Sequence, residues 1–398
     1  MRHYDITIVG AGLVGLATAY RLKQQQPGLR IAVLEKEAEL APHQSSHNSG
    51  VIHSGIYYKP GSLRALNCQR GYTQLVDFCK EHGVAYELCG KLIAAVTESE
   101  RGMLENIFQR GLANGLTGIR KISREEALET EPYLDCREAI LVPQTGIVDF
   151  PGVAKVLASL ITAAGGEILL NNQVLKITGG KPDWVITTAR SEISTTQLIN
   201  CGGLYADRLA QMSGQNSDIQ IVPFRGEYYQ LKKEKEYLVR HLIYPVPNPA
   251  FPFLGVHFTR MVHGGIEAGP NAVLAFKREG YNRWQLDIAE LWEVLRYQGF
   301  HKLAAKNWKF GLEEMKRSYF KNSFVKALQR LVPALQPEDV IPDRSGVRAM
   351  ALDKTGNVVD DFMILQNNNV INVLNAPSPA ATSCLSIGES IAGLIING

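Results

Sequence analysis

The chain opens with short apolar runs separated by a helical repeat. Asp5 to Val9 form a β-branched run, and a second apolar run extends from Ile31 to Leu34. Between them, apolar residues recur at helical spacing at positions 13, 16, 17 and 20. This pattern predicts a strand, a glycine-rich turn, a helix and a second strand, which together form a βαβ unit.

The turn between the first strand and the helix has the sequence GAGLVG at residues 10–15. Gly10 permits a tight turn, Gly12 lets a pyrophosphate approach the backbone, and Gly15 lets the helix pack on the strand. Glu35 follows Gly15 by 20 residues, where its carboxylate can accept both ribose hydroxyls of an adenosine. This combination favours a dinucleotide site over the alternative, a glycine-rich structural turn.

Later apolar runs extend the predicted fold. Strands are expected at 167–174, 198–201, 254–259, 272–276 and 370–374. Tyr228 and Gln230 alternate with Tyr229 and Leu231, as in a strand with one buried face. Apolar residues at 387, 391 and 394 mark the face of a C-terminal helix.

Composition and charge narrow the class of protein. At about 150 residues per domain, 398 residues suggest two or three domains. A chain that is 45% hydrophobic and 20% charged is neither disordered nor collagen-like. Because 42 Lys and Arg face 39 Asp and Glu, the net charge of +3 is too weak to make nucleic acid the main partner. We therefore expect a small-molecule function.

The spacing of the cysteines bears on metal and disulfide sites, and the hydropathy of the chain bears on its cellular compartment. The six cysteines show neither C-x-x-C spacing nor a dense framework, so we expect no metal and no disulfide. No apolar run approaches the roughly 18 residues of a membrane-spanning helix, and the first residues predict a strand rather than a signal peptide. The protein is expected to be cytoplasmic, or at most attached to a membrane surface.

FAD and NAD share the predicted half-site. No second G-x-G-x-x-G occurs in the sequence. A nicotinamide dehydrogenase usually repeats the mononucleotide-binding half soon afterwards, whereas residues 42–62 here are small, polar and rich in glycine. Such a loop suits close backbone contact with a phosphate and a flat ring system, which favours FAD.

Several longer motifs carry a resemblance to a known family. They are HNSGVIHSGIYYKPGSL at 47–63, CGKL at 89–92, PFRGEYY at 223–229, PFLGVHFTRM at 252–261, GPNAVLAFKREGY at 269–281, GVRA at 346–349 and NAPSPAATS at 375–383. On these motifs the sequence resembles the L-2-hydroxyglutarate dehydrogenase/oxidase family, within the FAD-dependent oxidoreductase superfamily of D-amino-acid oxidase and glycine oxidase type.

The resemblance implies an α/β (α+β overall) fold with two domains. A Rossmann-like FAD-binding domain would comprise 1–85, 146–215 and 340–398, and a substrate domain on a mainly antiparallel sheet would comprise 86–145 and 216–339. The implied reaction is oxidation of L-2-hydroxyglutarate to 2-oxoglutarate by hydride transfer to flavin N5, with electrons passed to a membrane quinone or to oxygen. The implied FAD is noncovalent, although superfamily relatives with a histidine near the position of His47 can carry covalent FAD.

The same resemblance, with the glycine turn, defines the predicted cofactor residues. They are Gly10, Gly12, Gly15, Glu35, Lys36, Ser45, Ser46, His47, Asn48, Ser49, Gly50, Val174, Cys201, Gly202, Gly203, Ser378, Pro379, Ala380, Ala381 and Thr382. A helix starting near 378–383 would aim backbone N–H groups at the N1–C2 edge of the flavin, where negative charge accumulates on reduction.

Oxidation of a 2-hydroxy acid requires a proton acceptor and a binding group for the carboxylate. His53 and His257 are the candidate bases, since the ordinary histidine pKa of about 6.5 suits a proton acceptor at neutral pH; a structural role for either stays open. Arg348 matches the carboxylate-binding arginine of amino-acid oxidases in the superfamily.

A five-carbon dicarboxylate also calls for a second cation. The candidates are Arg225, Arg260, Lys277 and Arg278, with Tyr57, Tyr58 and Tyr244 as hydroxyl donors. An ion pair at the surface is the alternative for each cation.

A basic helical segment is predicted at about 285–335. Between 300 and 330 it carries eight Lys or Arg against Glu313 and Glu314, with aromatic residues interleaved. It is either a peripheral helix on anionic lipid of the inner membrane or a solvated helix that covers its own domain.

For the whole chain, two other functions stay open: an amine or amino-acid oxidase (glycine oxidase-like) on the same fold, and a non-catalytic nucleotide-binding protein. The oligomeric state is equally open.

Overall fold

The computed structural model describes residues 1–247 and 254–396, which form two lobes, each built on one large sheet. In chain order the strands are β1 (Arg2–Val9), β2 (Ile31–Leu34), β3 (Val51–Ile52), β4 (Tyr86–Glu87), β5 (Lys91–Ala95), β6 (Arg120–Ser123), β7 (Glu138–Val142), β8 (Gly146–Val148), β9 (Glu167–Leu169), β10 (Val174–Gly179), β11 (Trp184–Thr188), β12 (Glu192–Asn200), β13 (Ile219–Leu231), β14 (Leu242–Pro245), β15 (His257–Arg260), β16 (Ile266–Gly269), β17 (Val273–Leu274), β18 (Val340–Asp353), β19 (Met363–Asn367) and β20 (Val370–Asn375).

The helices connect these strands and cover the sheets. In chain order they are α1 (Leu13–Gln25), α2 (Leu63–His82), α3 (Arg101–Ala113), α4 (Arg124–Thr130), α5 (Phe150–Ala163), α6 (Ala206–Met212), α7 (Ile288–Arg296), α8 (Gln298–Tyr319), α9 (Lys321–Leu328) and α10 (Cys384–Ile396).

The first lobe, which we call the Rossmann lobe, is built on an eight-stranded sheet with the main order β10-β11-β12-β1-β2-β9. β1 pairs in parallel with β2 and β12, and β20 pairs in parallel with β12. All four residues of β2 and the last four of β1 are buried, as expected for central strands that are covered on both faces. The predicted βαβ unit therefore forms, with α1 between β1 and β2.

The C-terminal segment returns to the N-terminal one. α10 packs on α1 so closely that a Cβ on Gly388 would lie 2.6 Å from the carbonyl carbon of Ala17. The turn at 378–383 leads into α10 and therefore lies next to the Rossmann lobe. Both ends of the described chain thus meet in one lobe.

The second lobe, the antiparallel lobe, has the strand order β17-β13-β16-β15-β14-β5-β7-β6, with β18 paired to β13. Among the described residues, β5 and β14 are its parallel pair and the other neighbours are antiparallel. One face of the sheet packs into a core with α9, through residues such as Leu92, Ile243 and Phe258. Side chains alternate along each strand, so the residues between them lie on the opposite face.

The structure corrects two boundaries. The segment 340–353, predicted for the cofactor domain, is β18, which pairs with β13 along its length and therefore belongs to the antiparallel lobe. The strand predicted at 167–174 is two strands, β9 and β10, because the chain turns at Asn171, which has a left-handed φ of 57°. Residues 252 and 253 of the 252–261 motif lie outside the described residues.

The basic segment contains three helices, α7, α8 and α9, and the helical geometry of α8 is broken at Asn307. α9 covers its own lobe, since Phe324, Val325 and Leu328 are fully buried. α7, α8 and the residues that flank them instead expose large apolar side chains, which we call the α7–α8 surface: Trp284, Leu286, Ile288, Trp292, Leu295, Trp308, Leu312, Met315, Tyr319 and Phe320. Within 1–247 and 254–396, no helix has both the length and the apolar character needed to cross a bilayer.

Candidate active site

A cavity of about 1540 Å³ lies between the two lobes. Its wall includes the ends of β1 and β2, the loop around 41–53, strands of the antiparallel lobe and the loop 376–381. A pocket for one small molecule usually measures about 300–1000 Å³. The cavity is therefore large enough for a dinucleotide and a substrate together.

The nucleotide end of the cavity contains the turn between β1 and α1. Gly10 has a φ of +106°, and a Cβ there would lie 2.4 Å from the carbonyl oxygen of Cys201. A Cβ on Gly15 would lie 2.0 Å from the carbonyl oxygen of Gly10. Only glycine fits at these two positions, and the N-terminus of α1 therefore comes close to the cavity, where its dipole favours a phosphate.

Glu35 lies at the end of β2, is buried and lines the cavity. Its carboxylate accepts hydrogen bonds from the backbone N–H groups of Ala11 at 3.0 Å and Glu37 at 3.1 Å. These bonds orient the carboxylate, which has about four acceptor sites in all. The remaining sites suit ribose hydroxyls, so the glycine turn and Glu35 together fit the adenosine and pyrophosphate of FAD.

Most predicted cofactor residues line this cavity. They are Gly10, Gly12, Gly15, Glu35, Lys36, Ser45, His47, Asn48, Ser49, Val174, Cys201, Gly202, Gly203, Ser378, Pro379, Ala380 and Ala381. The structure thus brings together six separate stretches of the chain around one cavity.

Ser46, Gly50 and Thr382 were predicted for the cofactor but are not among the residues that line the cavity. The hydroxyl of Ser46 donates to a carbonyl of its own loop at 2.7 Å, and the carbonyl of Gly50 accepts from β8 at 2.8 Å. The hydroxyl of Thr382 accepts from the backbone N–H of His53 at 3.1 Å and donates to β3 at 3.2 Å. These three residues hold the cofactor loops in place through hydrogen bonds within the protein.

The other end of the cavity contains one face of the antiparallel sheet. Tyr244 on β14 and His257 on β15 line the cavity, and their rings stack with centroids 3.9 Å apart. Arg348 on β18 and Tyr228 on β13 line the same cavity. A guanidinium, an imidazole and two phenols therefore surround one space.

His257 has a defined tautomer. Its Nδ1 lies 2.9 Å from the carbonyl oxygen of Gly255, which can only accept, so Nδ1 carries the proton and Nε2 keeps its lone pair. Burial lowers the pKa of His257 to about 3, and the positive charges of Arg348 and Lys91 act in the same direction. The ring is neutral at pH 7 and its Nε2 keeps a lone pair, but a pKa this far below the ordinary 6.5 makes it a weaker base than the sequence predicts.

His53 joins the loop after β3 to the C-terminal loop. Its ring Nε2 lies 3.3 Å from the hydroxyl oxygen of Ser378. Burial lowers the pKa of His53 to about 3, and the charge of Lys91 acts in the same direction. Both candidate bases are thus neutral and line the same cavity.

The predicted substrate residues separate into two groups. Tyr57, Tyr58, Tyr244 and Lys277 line the cavity together with Arg348. Arg225, Arg260 and Arg278, which were also predicted to bind substrate, are not among its lining residues. The structure therefore removes three of the four proposed second cations from the site.

Each of these three arginines has another partner. Arg278 is 1% exposed and donates to both carboxylate oxygens of Asp207 at 2.6 and 2.9 Å. Arg225 pairs at 3.1 Å with the carboxylate two residues further along β13. Arg260 pairs with Glu87 at 3.0 Å. All three guanidinium groups are engaged in ion pairs, the alternative that the sequence leaves open.

An ionic cluster joins the two lobes beside the nucleotide end of the cavity. Glu279 of the antiparallel lobe lies 2.7 Å from Lys36 Nζ and 3.0 Å from His43 Nε2 of the Rossmann lobe, and Lys36 also contacts Glu37. Burial alone would raise the pKa of Glu279, but hydrogen bonds to His43 and Lys36 lower it to about 2. Glu279 is therefore a carboxylate at neutral pH and links the lobes.

Sequence reasoning missed two residues at the substrate end. Lys91 is 1% exposed, at the start of β5, and its Nζ lies 4.6 Å from the ring centroid of Tyr57 and 4.8 Å from that of Tyr244. Tyr228 lines the cavity. Each had a signal: Lys91 begins an apolar run within the CGKL motif, and Tyr228 alternates with the buried Tyr229 along a strand.

Comparison with known proteins extends these observations to a family. Residues 5–394 match the model of the FAD dependent oxidoreductase family. The chain is 52% identical to L-2-hydroxyglutarate dehydrogenase of Indibacter alkaliphilus over 98% of both chains. It is 45% identical to the human mitochondrial L-2-hydroxyglutarate dehydrogenase, over 98% of this chain and 88% of the human one. These matches confirm the predicted resemblance.

Solved structures support the fold. FAD-bound L-α-glycerophosphate oxidase from Mycoplasma pneumoniae, reduced with dithionite, superposes with a TM-score of 0.82 at 24% identity, over 99% of this chain and 95% of that one. Glycine oxidase from Geobacillus kaustophilus gives a TM-score of 0.75 at 17% identity, over 100% and 95%. At these identities the likeness concerns the fold, and it confirms the predicted fold class. Taken with the cavity and the sequence relatives, it establishes that the chain belongs to the L-2-hydroxyglutarate dehydrogenase family of FAD-dependent oxidoreductases.

Proposed function

We propose that this protein oxidises L-2-hydroxyglutarate to 2-oxoglutarate with FAD as the electron acceptor. The observation that carries the proposal is the single cavity that joins a dinucleotide cradle to Arg348 and the neutral His257. Bound FAD would accept the hydride that leaves the carbinol carbon. The named relatives at 52% and 45% identity support the choice of substrate.

In the proposed reaction, the protein positions the substrate and removes a proton. The guanidinium of Arg348 offers two parallel N–H donors to the carboxylate beside the carbinol. Nε2 of His257 accepts the hydroxyl proton, and His53 hydrogen-bonds the same oxygen or exchanges roles with His257. The Tyr244 ring stacks on His257 and holds the imidazole in its orientation.

The test is anaerobic reduction of the purified, FAD-loaded protein. L-2-Hydroxyglutarate should bleach the oxidised flavin band, whereas glycine, sarcosine and D-amino acids should not. The opposite pattern would favour the amine or amino-acid oxidase reaction. A protein that takes up no FAD under saturating conditions would contradict both and favour the non-catalytic alternative.

We further propose that the protein is cytoplasmic and docks on anionic lipid of the inner membrane through the α7–α8 surface, where a quinone could receive the electrons. Trp292, Trp308 and Phe320 are more than half exposed there. The exposed Lys302 and Lys306 precede a break in the helical geometry of α8 at Asn307, and Trp308 follows it directly. Exposed aromatic side chains beside lysines are typical of helices that settle at an anionic bilayer interface.

Cosedimentation with vesicles of phosphatidylcholine and 30% phosphatidylglycerol tests the docking proposal. Binding should weaken about tenfold or more when Lys302, Lys306, Lys309 and Lys316 are all changed to Glu, and it should fall with added salt. Pure phosphatidylcholine vesicles and a variant with the exposed Lys233 changed to Glu are the controls. Undiminished binding of the fourfold variant would contradict the proposal.

A further inference from the structure

Lys91 is a buried cation for which the proposed reaction has no role. It lies at the start of β5, beside β14 in the sheet, and its residue is 1% exposed. Among the described residues no carboxylate influences its pKa, which burial lowers and only Cys68 raises. Its Nζ instead contacts the faces of two phenol rings, those of Tyr57 and Tyr244. A buried ammonium held only by aromatic faces is costly unless an anion joins it.

The phenol wall in front of Lys91 also has an unused donor. The hydroxyl oxygen of Tyr57 is enclosed, and it has no hydrogen-bond partner among the described residues. Both Tyr57 and Tyr244 line the cavity, and Tyr244 stacks on His257. The wall of the cavity next to a candidate base therefore holds an enclosed O–H group, and Lys91 lies behind that wall rather than on it.

A dicarboxylate brings one more negative charge than Arg348 neutralises. Of the sequence-predicted second cations, Arg225, Arg260 and Arg278 are paired elsewhere. Lys277 lines the cavity, but it lies two residues from Glu279, which belongs to the ionic cluster at the nucleotide end. Arg64 lines the cavity as well, but its guanidinium donates to the carbonyl oxygens of Ser378 and Asp360. Lys91 does not itself line the cavity, but the rings of Tyr57 and Tyr244 that it contacts do, so its charge lies directly behind the substrate end.

We propose that Lys91 and the Tyr57 hydroxyl form the subsite for the second carboxylate of the substrate, and that this subsite makes the enzyme select dicarboxylates. The inference rests on the proposed function. Tyr57 donates its hydrogen to the carboxylate, while the ammonium of Lys91 neutralises the charge across the wall formed by Tyr57 and Tyr244. Arg348 holds the first carboxylate, so the two charges of the substrate set its orientation in front of His257.

The subsite also predicts proton uptake. The titratable groups that face Lys91 are His53 in the loop after β3, Cys68 on α2, Tyr57, Tyr244 on β14 and His257 on β15. Burial lowers the pKa of Lys91 to about 7, so at pH 8 the side chain is mostly neutral without ligand. A carboxylate bound nearby favours the charged form, and binding of a dicarboxylate should therefore take up a proton.

The experiment compares ligands that differ only in the second carboxylate. Three FAD-loaded proteins are compared: the wild type, Lys91→Met and the exposed-site control Lys233→Met. Each is titrated with L-2-hydroxyglutarate and with L-2-hydroxypentanoate, first alone as a substrate and then as a competitive inhibitor of the other compound. Lys91→Met should weaken binding of the dicarboxylate about 10- to 100-fold and binding of the monocarboxylate less than about threefold. Lys233→Met should match the wild type with both ligands.

A second measurement needs no variant. In weakly buffered solution at pH 8 with an indicator dye, wild-type enzyme should take up close to one proton on binding 2-oxoglutarate and clearly less on binding 2-oxopentanoate. An equal proton count for the two ligands would overturn the assignment, even if Lys91→Met failed to fold. So would an unchanged preference for the dicarboxylate in Lys91→Met. If L-2-hydroxyglutarate does not reduce the wild-type flavin, the proposed function itself fails. Failure of the Lys91 subsite alone would leave this reduction intact, so the two failures can be told apart.

Discussion

Arg348 shows at the scale of one residue how geometry, rather than charge alone, should determine substrate binding. A guanidinium presents two parallel donors to a carboxylate, whereas an ammonium presents a point charge. Arg348→Lys should therefore raise the apparent Kd for L-2-hydroxyglutarate at least about tenfold, as measured from the concentration dependence of anaerobic flavin reduction. Arg260→Lys keeps a cation beside Glu87 outside the cavity and should behave like the wild type. Wild-type saturation in Arg348→Lys would remove Arg348 from the substrate site.

The buried His257 should make stability depend on pH. Its folded-state pKa of about 3 lies below its ordinary value of 6.5. Above about pH 6.5 both the folded and the unfolded ring are neutral, so this group adds no pH dependence. As the pH falls below that value, the unfolded ring binds a proton that the folded ring excludes, and stability decreases by about 1.4 kcal/mol per pH unit.

Urea unfolding at pH 7.5 and pH 5.5 measures this loss. His257→Asn should lose about 1 kcal/mol less than the wild type between the two pH values. His263→Asn, which changes a mostly exposed ring, should not reduce the loss. The rate constant for flavin reduction in the wild type should show no step near pH 6.5, because His257 is already neutral there. A step at that pH would contradict the neutral base.

Local sequence predicts residue chemistry well where the residue type itself carries the signal. Arg348 and His257 are predicted from the GVRA and GVHFTRM motifs, and the structure puts both on the wall of one cavity. Arg278 is misassigned because its partner Asp207 is 71 residues away, and the pairing depends on the fold. Lys91 is missed because a lysine at the start of an apolar run usually marks the exposed end of a strand. Its burial depends instead on contacts with β14 and α2, which the local sequence does not reveal.

At the scale of secondary-structure elements, the packing of α10 on α1 requires glycine at position 388. A Cβ there would lie 2.6 Å from backbone atoms of α1, whereas a Cβ on Gly311 of α8 would meet nothing within 4 Å. Gly388→Ala should therefore lower the free energy of unfolding by about 1–3 kcal/mol and weaken FAD retention. Gly311→Ala should raise stability by up to about 1 kcal/mol. Equal effects of the two variants in urea unfolding would contradict the packing argument.

The accuracy of element prediction follows the range of the interactions. The βαβ unit is predicted because β1, α1 and β2 are neighbours in sequence, and their glycines and apolar spacing suffice. β18 is placed in the wrong domain because its partner β13 lies more than 100 residues earlier, and no local pattern reveals that pairing. The basic segment breaks into three helices at positions that its composition does not reveal, since α9 is buried by contacts with the sheet.

At the scale of the whole molecule, the two lobes share the site and must stay together. The Rossmann lobe contributes the nucleotide cradle, the antiparallel lobe contributes Arg348 and His257, and the cavity exists between them. The carboxylate of Glu279 bridges the lobes through Lys36 and His43. This cluster also lines the nucleotide end, so we expect lobe contact and FAD retention to be coupled.

The pH range of this coupling follows from the shifted pKa values of Glu279 and His43. The pKa of Glu279 falls from 4.5 to about 2, so its stabilisation is complete above about pH 4.5 and is lost as the pH falls toward 2. Burial opposes a charged His43, but Glu279 outweighs it and raises the pKa of His43 above 6.5. The contribution of His43 is therefore complete below pH 6.5 and is lost as the pH rises through its raised pKa. The two contributions overlap fully between about pH 4.5 and 6.5.

Glu279→Gln keeps the size of the side chain and removes the charge that links the lobes. We expect the free energy of unfolding to fall by about 1–3 kcal/mol at pH 6, because Lys36 and His43 lose a half-buried partner. FAD should also dissociate several-fold faster, as followed by the rise in free flavin fluorescence after dilution. Glu313→Gln, which removes an exposed carboxylate on α8, is the matched control and should alter neither quantity. The coupling would be refuted if Glu279→Gln had a lower free energy of unfolding but released FAD at the wild-type rate. That result would separate lobe contact from cofactor retention.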